Sequence, residues 1–191
     1  MDIRYFVLYL SLFFWIFPAV KQYRTELFWY FLIYAALDPL VFVTSYLRLN
    51  VTIYMYSFFS ILLLLSVIWP FRKRISSKLL IAASFILLTV TNFDSPNSAN
   101  HAQVYIHLFI TFFFIWRTFS FVAETGKANL FHLFLLMEEV SIIFKFLAVI
   151  IEIKTGVIFF YATSAFQILI AIFFTLYRED NKKLLVDLRS C

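Results

Sequence analysis

Glycine, cysteine and charge are all scarce in this chain of 191 residues, and each scarcity closes off a class of function. With only Gly126 and Gly156, both between apolar runs, there is no Gly-x-x-x-Gly packing seam and no glycine-rich phosphate loop. One cysteine, Cys191, excludes an internal disulfide framework and a thiolate metal cluster. Arg189-Ser190-Cys191 also lacks the three residues that a prenylation box needs after its cysteine. Of the four prolines, Pro39 alone interrupts an apolar run centrally, which argues against the discontinuous half-helices of many ion-coupled transporters. Charged residues make up 14% of the chain, too few to clothe a soluble domain.

What fills the chain instead is apolar: 63% hydrophobic residues, 22% of the total being aromatic. Seven runs are long enough to cross a bilayer as helices: 3–20, 27–47, 51–69, 75–91, 102–122, 130–153 and 157–177. The fourth is the shortest. The first has the position of a signal peptide but continues into Lys21-Gln22-Tyr23 without a small-residue cleavage site, so it reads as a retained helix. Asn92 to Asn100 reads as the one real loop. Residues 178–191 form a short tail in which Leu184, Leu185 and Leu188 alternate with charge, predicting an amphipathic helix on the cytoplasmic surface.

Lysine and arginine set the orientation. Lys21, Arg24, Arg72, Lys73, Arg74, Lys78, Lys127, Arg178, Lys182, Lys183 and Arg189 fall on one side, against Arg4, Arg48 and Lys154 on the other. The positive-inside rule then places the N-terminus outside and the C-terminus in the cytoplasm. The expected fold class is all-α, a polytopic integral membrane bundle of seven transmembrane helices, in the inner membrane if the source is bacterial. The net charge of +5 reports this topology and gives no reason to expect a nucleic-acid partner.

Leu130 to Ile153 carries Glu138, Glu139 and Lys145 within an apolar run. One such group at the bilayer centre costs about 2.5 to 3.5 kcal/mol on insertion scales, so three imply partners on other helices. At 100° per residue Glu138, Ser141, Lys145, Ala148 and Glu152 share one stripe, while Glu138 and Glu139 diverge and cannot both meet one partner. At about 1.5 Å per residue, Glu138 and Glu139 lie about 12 Å from the cytoplasmic end and Arg117 about 8 Å. This predicts that Arg117 pairs with one of the two glutamates and that Asp38 joins slightly deeper. His107 and Lys145 are expected at a second level, about 22 Å up. The candidate intramembrane charge network is thus Asp38, His107, Arg117, Glu138, Glu139 and Lys145.

Catalytic and cofactor signatures are missing. His101, His107 and His132 are scattered in depth, which fits neither bis-histidine haem nor a three-histidine zinc site, so no cofactor and no metal are expected. There is no His-Glu-x-x-His and no Ser nucleophile elbow. Glu138-Glu139 begins the Glu-Glu-x-x-x-Arg motif of membrane CAAX proteases, but Ile143 stands at the arginine position. The last run lacks the lysine of a retinal protein.

In topology the chain resembles the SWEET-type sugar transporters and their seven-helix vitamin-transporter relatives, which are N-out, C-in and built as 3+1+3. Leu8 to Phe14 aligns with Leu108 to Phe114, but the Pro-Gln pair of related PQ-loop proteins is missing, and Pro18 and Pro39 have no counterparts in the fifth and sixth runs. The resemblance implies a small-solute transporter. The seven-helix sensor regions of bacterial signalling kinases are a comparable match in topology. The reading placed first is a non-enzymatic subunit or sensor-like binding module that engages a membrane-protein partner, or another copy of itself, through its buried charges and tail. A small-solute transporter, proton-coupled through the same charges, is the alternative.

Overall fold

Segments that are apolar on every face offer no single stripe to bury, so such helices must be surrounded. The computed structural model of the protein describes residues 3–48, 52–69, 96–151 and 156–188. Among them are six α-helices: α1 (Ile3–Lys21), α2 (Phe28–Tyr46), α3 (Thr52–Ile68), α4 (Pro96–Thr125), α5 (Leu130–Ile150) and α6 (Gly156–Leu176). The regular structure of the described residues is all-helical apart from a 3₁₀ turn at Lys182–Leu184 and two three-residue strands, β1 (Lys127–Asn129) and β2 (Leu185–Asp187). The expected span at 75–91 lies outside the described residues. Of the described helices, the stretch Asn100–Thr125 is long and apolar enough to cross a membrane; the apolar stretches Leu12–Lys21, Phe28–Thr44, Met55–Ile68 and Tyr161–Leu176 are shorter.

Two elements depart from expectation. Helix α4 begins at Pro96, inside the segment read as a loop, and runs to Thr125, three residues past its apolar run. Local chemistry accounts for both ends. Proline suits a first helical position because its missing N–H has no intrahelical acceptor there. Gly126 takes φ 69°, and its N–H donates to the Val122 carbonyl at 2.8 Å, a left-handed helix stop. The tail, in turn, is not an amphipathic helix. Asn181 caps the 3₁₀ turn, Leu184 is buried in the core, and β2 pairs antiparallel with β1, Ala128 opposite Val186. Strand β1 offers unpaired backbone groups, and the tail satisfies them.

The helices close into a ring. Each packs on its neighbours in chain order, and α6 returns to pack on α1. Gln22, buried just after α1, ties that closure: its Nε2 donates to the carbonyls of Phe174 and Tyr177 at 3.0 and 2.8 Å. Those are carbonyls at the C-terminus of α6, which have no intrahelical donor. The end of α1, the start of α2 and the ends of α4 and α6 therefore gather at one end of the ring, called here the tail end. Trp69 lines a crevice with Trp29 at the start of α2, so α3 also finishes there. Helices α3 and α4 hence run parallel, and the chain leaves α3 at the tail end and joins α4 at the other.

Inside the ring near the tail end lies an aromatic layer. Phe31, Phe131 and Phe174 meet at 4.9 to 6.1 Å between ring centroids, with Tyr30 edge-on to Phe114 at 5.6 Å. Such pairs are worth roughly 0.5 to 1.5 kcal/mol each beyond their buried area. Polarity is otherwise inverted relative to a water-soluble bundle. Phe13, Trp29, Phe112, Phe119, Ile158 and Leu169 are exposed on the outside, while Ser60, Gln103, His107, Glu138, Glu139 and Gln167 are buried within.

Candidate functional site

The adjacent acids of α5 build the centre of the ring. Since neighbouring helical residues point about 100° apart, the two carboxylates enter different interhelical spaces. Glu139, fully buried, faces α2 and α4. It accepts from the Tyr30 hydroxyl at 2.5 Å and the Tyr34 hydroxyl at 3.4 Å, and it lies 2.7 Å from His107 Nδ1. The far side of the same imidazole, Nε2, is 3.3 Å from Ser60 Oγ on α3. One carboxylate thus draws α2, α3 and α4 together around α5.

Glu138 turns toward α6. Gln167 Nε2 donates to Glu138 Oε1 at 3.0 Å and to Ser141 Oγ at 3.1 Å. Lys145 Nζ donates to Ser164 Oγ at 3.3 Å and also to Gln167 Oε1. The stripe Glu138, Ser141, Lys145 faces Ser164 and Gln167 as one polar seam. Asp38, on α2, lies within electrostatic reach of Lys145 and Glu138. Five of the six residues singled out in the sequence, Asp38, His107, Glu138, Glu139 and Lys145, therefore belong to this central region.

Arg117 does not. It sits at the tail end, where its Nη2 donates to Glu26 Oε2 at 2.7 Å and Glu179 Oε1 at 2.6 Å. His107 takes the place expected of it, although the sequence puts the histidine at a different level from Glu139. The cause is an axial offset. Helix α4 runs on to Thr125, and the chain returns along β1, about 10 Å of extended strand at 3.3 Å per residue, before α5 begins. Depths counted from helix ends ignore that return. Counted from Thr125, it lifts Glu139 by about 10 Å, from within a turn of Arg117 to within a turn of His107, the two being about 15 Å apart on α4. The aromatic layer fills the gap, Phe114 lying one turn above Arg117.

Tyr30, Tyr34, Ser60, Gln167 and Ser164 are central residues that sequence reasoning missed. A signal existed for three of them. Tyr30 and Tyr34 are spaced i, i+4 on one face of α2, and Gln167 is the lone amide of its apolar run. Twenty-seven phenylalanines and eleven tyrosines make such a face hard to notice.

Chemically, the order Ser60, His107, Glu139 matches nucleophile, base and orienting acid. Ser60 nevertheless lies mid-helix, where main-chain N–H groups serve the helix ladder and form no oxyanion cradle. The contacts suit proton sharing: a hydroxyl, an imidazole, a carboxylate and two phenols follow one another within hydrogen-bonding distance. At the tail end, Glu179 has a different role. Burial pushes its carboxyl up from the ordinary value, while Arg117 and the Leu27 N–H, which donates to Glu179 Oε2 at 3.2 Å, pull it back. Its own N–H donates to Gln22 Oε1 at 3.0 Å, so Glu179 ties the tail to α1, α2 and α4. Among the described residues no group of three or more His, Cys, Asp or Glu is arranged to hold a metal ion. No protein-family model, curated protein or solved structure matches the chain.

Proposed function

We propose that the chain is a multi-pass integral membrane protein, non-enzymatic, that serves as a sensor-like binding module or subunit of a membrane complex. One observation carries the reading: large apolar side chains face outward while a hydrogen-bonded set of ionisable groups occupies the middle of the ring. In water that arrangement would expose apolar surface and desolvate charge at once; in a bilayer the outward apolar side chains meet lipid, and the middle of the ring is where ionisable groups avoid it. Seven spans, N-terminus out, would account for the chain leaving α3 at the tail end and joining α4 at the other. The described basic residues Lys21, Arg24, Lys127, Lys182 and Lys183 gather at the tail end, as the positive-inside rule asks of a cytoplasmic side.

Glu139 meets His107, Glu138 and Lys145 are hydrogen-bonded along the α5–α6 seam, and Lys145 lies within electrostatic reach of Glu138, so the charges are served largely within the chain. Engagement then falls to the tail end, where β2 is an outer strand with Val186 and Leu188 exposed. The centre becomes the responsive element, since a change in its protonation alters contacts among four helices together. The test is purification from native membranes in mild detergent, followed by mass spectrometry of proteins recovered in fixed proportion. A stoichiometric partner retained by Glu139→Gln and lost with Val186→Asp supports the reading. Recovery of the protein alone or as a homo-oligomer sinks the complex-subunit form of it.

A proton-linked transporter is the second reading, favoured by the continuity of the Tyr34, Tyr30, Glu139, His107, Ser60 chain. It requires proton-coupled solute uptake in liposomes that Glu139→Gln abolishes without unfolding the protein.

A further inference from the structure

At the tail end the ring opens into a pocket of about 670 Å³, below the aromatic layer and separate from the polar centre. That is a usual size for a small-molecule site. Arg24, Glu26, Arg117, Glu124, His132 and Asp180 are among its walls. Two buried nitrogens there lack partners among the described residues. His132 is 4% exposed, yet its Nδ1 meets no hydrogen-bond partner. Arg117 spends Nη2 on two carboxylates and leaves Nη1 buried and unused. The two groups are close enough for the guanidinium charge to act on the imidazole. Native proteins rarely leave such atoms unmatched, so both point to a missing ligand.

The rest of the wall indicates its chemistry. His132 and Asn129 belong to the start of α5, where Asn129 Oδ1 accepts from the Phe131 N–H at 2.9 Å and the other first-turn N–H groups, with the positive end of the helix dipole, favour an anion. Arg24 stands at the rim with φ 65°, a left-handed conformation unusual for a residue with a Cβ and typical of functional sites. Carboxylates are also present. Glu26 and Glu179 already outweigh Arg117, and Glu124 lines the remaining wall, while Asp180 beside it is paired with Arg178 Nε at 3.2 Å. A bare anion would meet repulsion from that wall, whereas a cation alone would leave the two buried nitrogens unsatisfied. A ligand with both signs answers both demands.

We propose that this pocket binds a phosphoamine, a phosphate monoester or diester joined by a short linker to a primary ammonium. The phosphate oxygens reach Arg117 Nη1, His132 Nδ1 and the α5 N-terminus, and the ammonium lies toward Glu124. Free phosphoethanolamine and the headgroup of phosphatidylethanolamine share this chemistry. The site lies on the side of the ring where the chain's basic residues gather, within reach of either source.

The test uses the full chain in nanodiscs of phosphatidylglycerol. Isothermal titration with O-phosphoethanolamine is compared with inorganic phosphate, and a second arm measures retention of phosphatidylethanolamine by native mass spectrometry from mixed-lipid nanodiscs. Two substitutions leave the Arg117 ion pairs intact. His132→Phe keeps the edge-on contact with Phe121, now 5.7 Å between centroids, and Glu124→Gln changes an exposed side chain. Wild type should prefer the phosphoamine over phosphate by about tenfold, His132→Phe should weaken phosphoamine binding by about tenfold or more, and Glu124→Gln should erase the preference. Binding in the first arm identifies a free solute; selective retention in the second alone identifies the lipid headgroup. Wild type failing both arms, or both variants binding as wild type does, overturns the proposal.

Discussion

Replacing Glu139 by leucine would remove the acceptor shared by Tyr30 and His107 and leave both buried without it. Each orphaned buried group costs roughly 1 to 3 kcal/mol, and Tyr34 at 3.4 Å adds little, so Glu139→Leu should destabilise the protein by about 3 to 5 kcal/mol. Glu139→Gln should cost far less, about 1 kcal/mol. Its carbonyl still accepts from Tyr30, and its amide can donate to His107 Nδ1 once the imidazole carries its proton on Nε2, facing Ser60 Oγ at 3.3 Å. The decisive comparison is a double-mutant cycle. With His107→Leu added to Glu139→Leu, the histidine orphan disappears, and the double variant should be no less stable than Glu139→Leu, a coupling of at least about 2 kcal/mol. Reversible unfolding in mixed micelles, read by the fluorescence of the four tryptophans, measures all four corners. Additivity within about 0.5 kcal/mol would refute the direct His107 to Glu139 contact, and Glu139→Gln as damaging as Glu139→Leu would refute the tautomer argument.

Glu179 binds its proton more firmly folded than unfolded, because burial raises it from its ordinary value of 4.5. The stability it contributes is full below that value and declines as pH rises through the raised folded value. Thermal melts of Glu179→Gln across this window should therefore show a shallower decline than wild type, and an unchanged slope would contradict the burial argument. Gly126→Ala places a Cβ at φ 69° and should cost about 1 to 2 kcal/mol in the same unfolding assay; a neutral outcome would mean that the α4 stop relaxes. Leu188→Pro removes the N–H that donates to the Gly126 carbonyl at 3.1 Å. The tail should become more sensitive to limited proteolysis while the ring loses less than about 1.5 kcal/mol, the worth of one hydrogen bond. Collapse of the whole ring would show that tail and helices fold as a single unit.

Composition and the length of the apolar runs are enough to dictate the helical class of the chain. Apolar runs too long and too uniform for strands can satisfy their backbone groups only as helices, and these are local properties. Sequence also dictates that Glu138 and Glu139 diverge, because helical periodicity alone sends neighbours about 100° apart. The tertiary structure decided who meets them. Arg117 was the expected partner on a depth count, but the overrun of α4 and the return along β1 shift α5 until Glu139 faces His107. No periodicity encodes that shift; it depends on where a glycine stops one helix and on how far an extended strand then travels. Tyr30, Tyr34 and Ser60 join the centre for a similar reason, since their positions are fixed by closure of the ring and not by their own neighbours in sequence. The tail makes the same point: its leucine spacing is helical, yet an open strand edge in reach captured it, because unpaired backbone groups there outweigh a weak local preference.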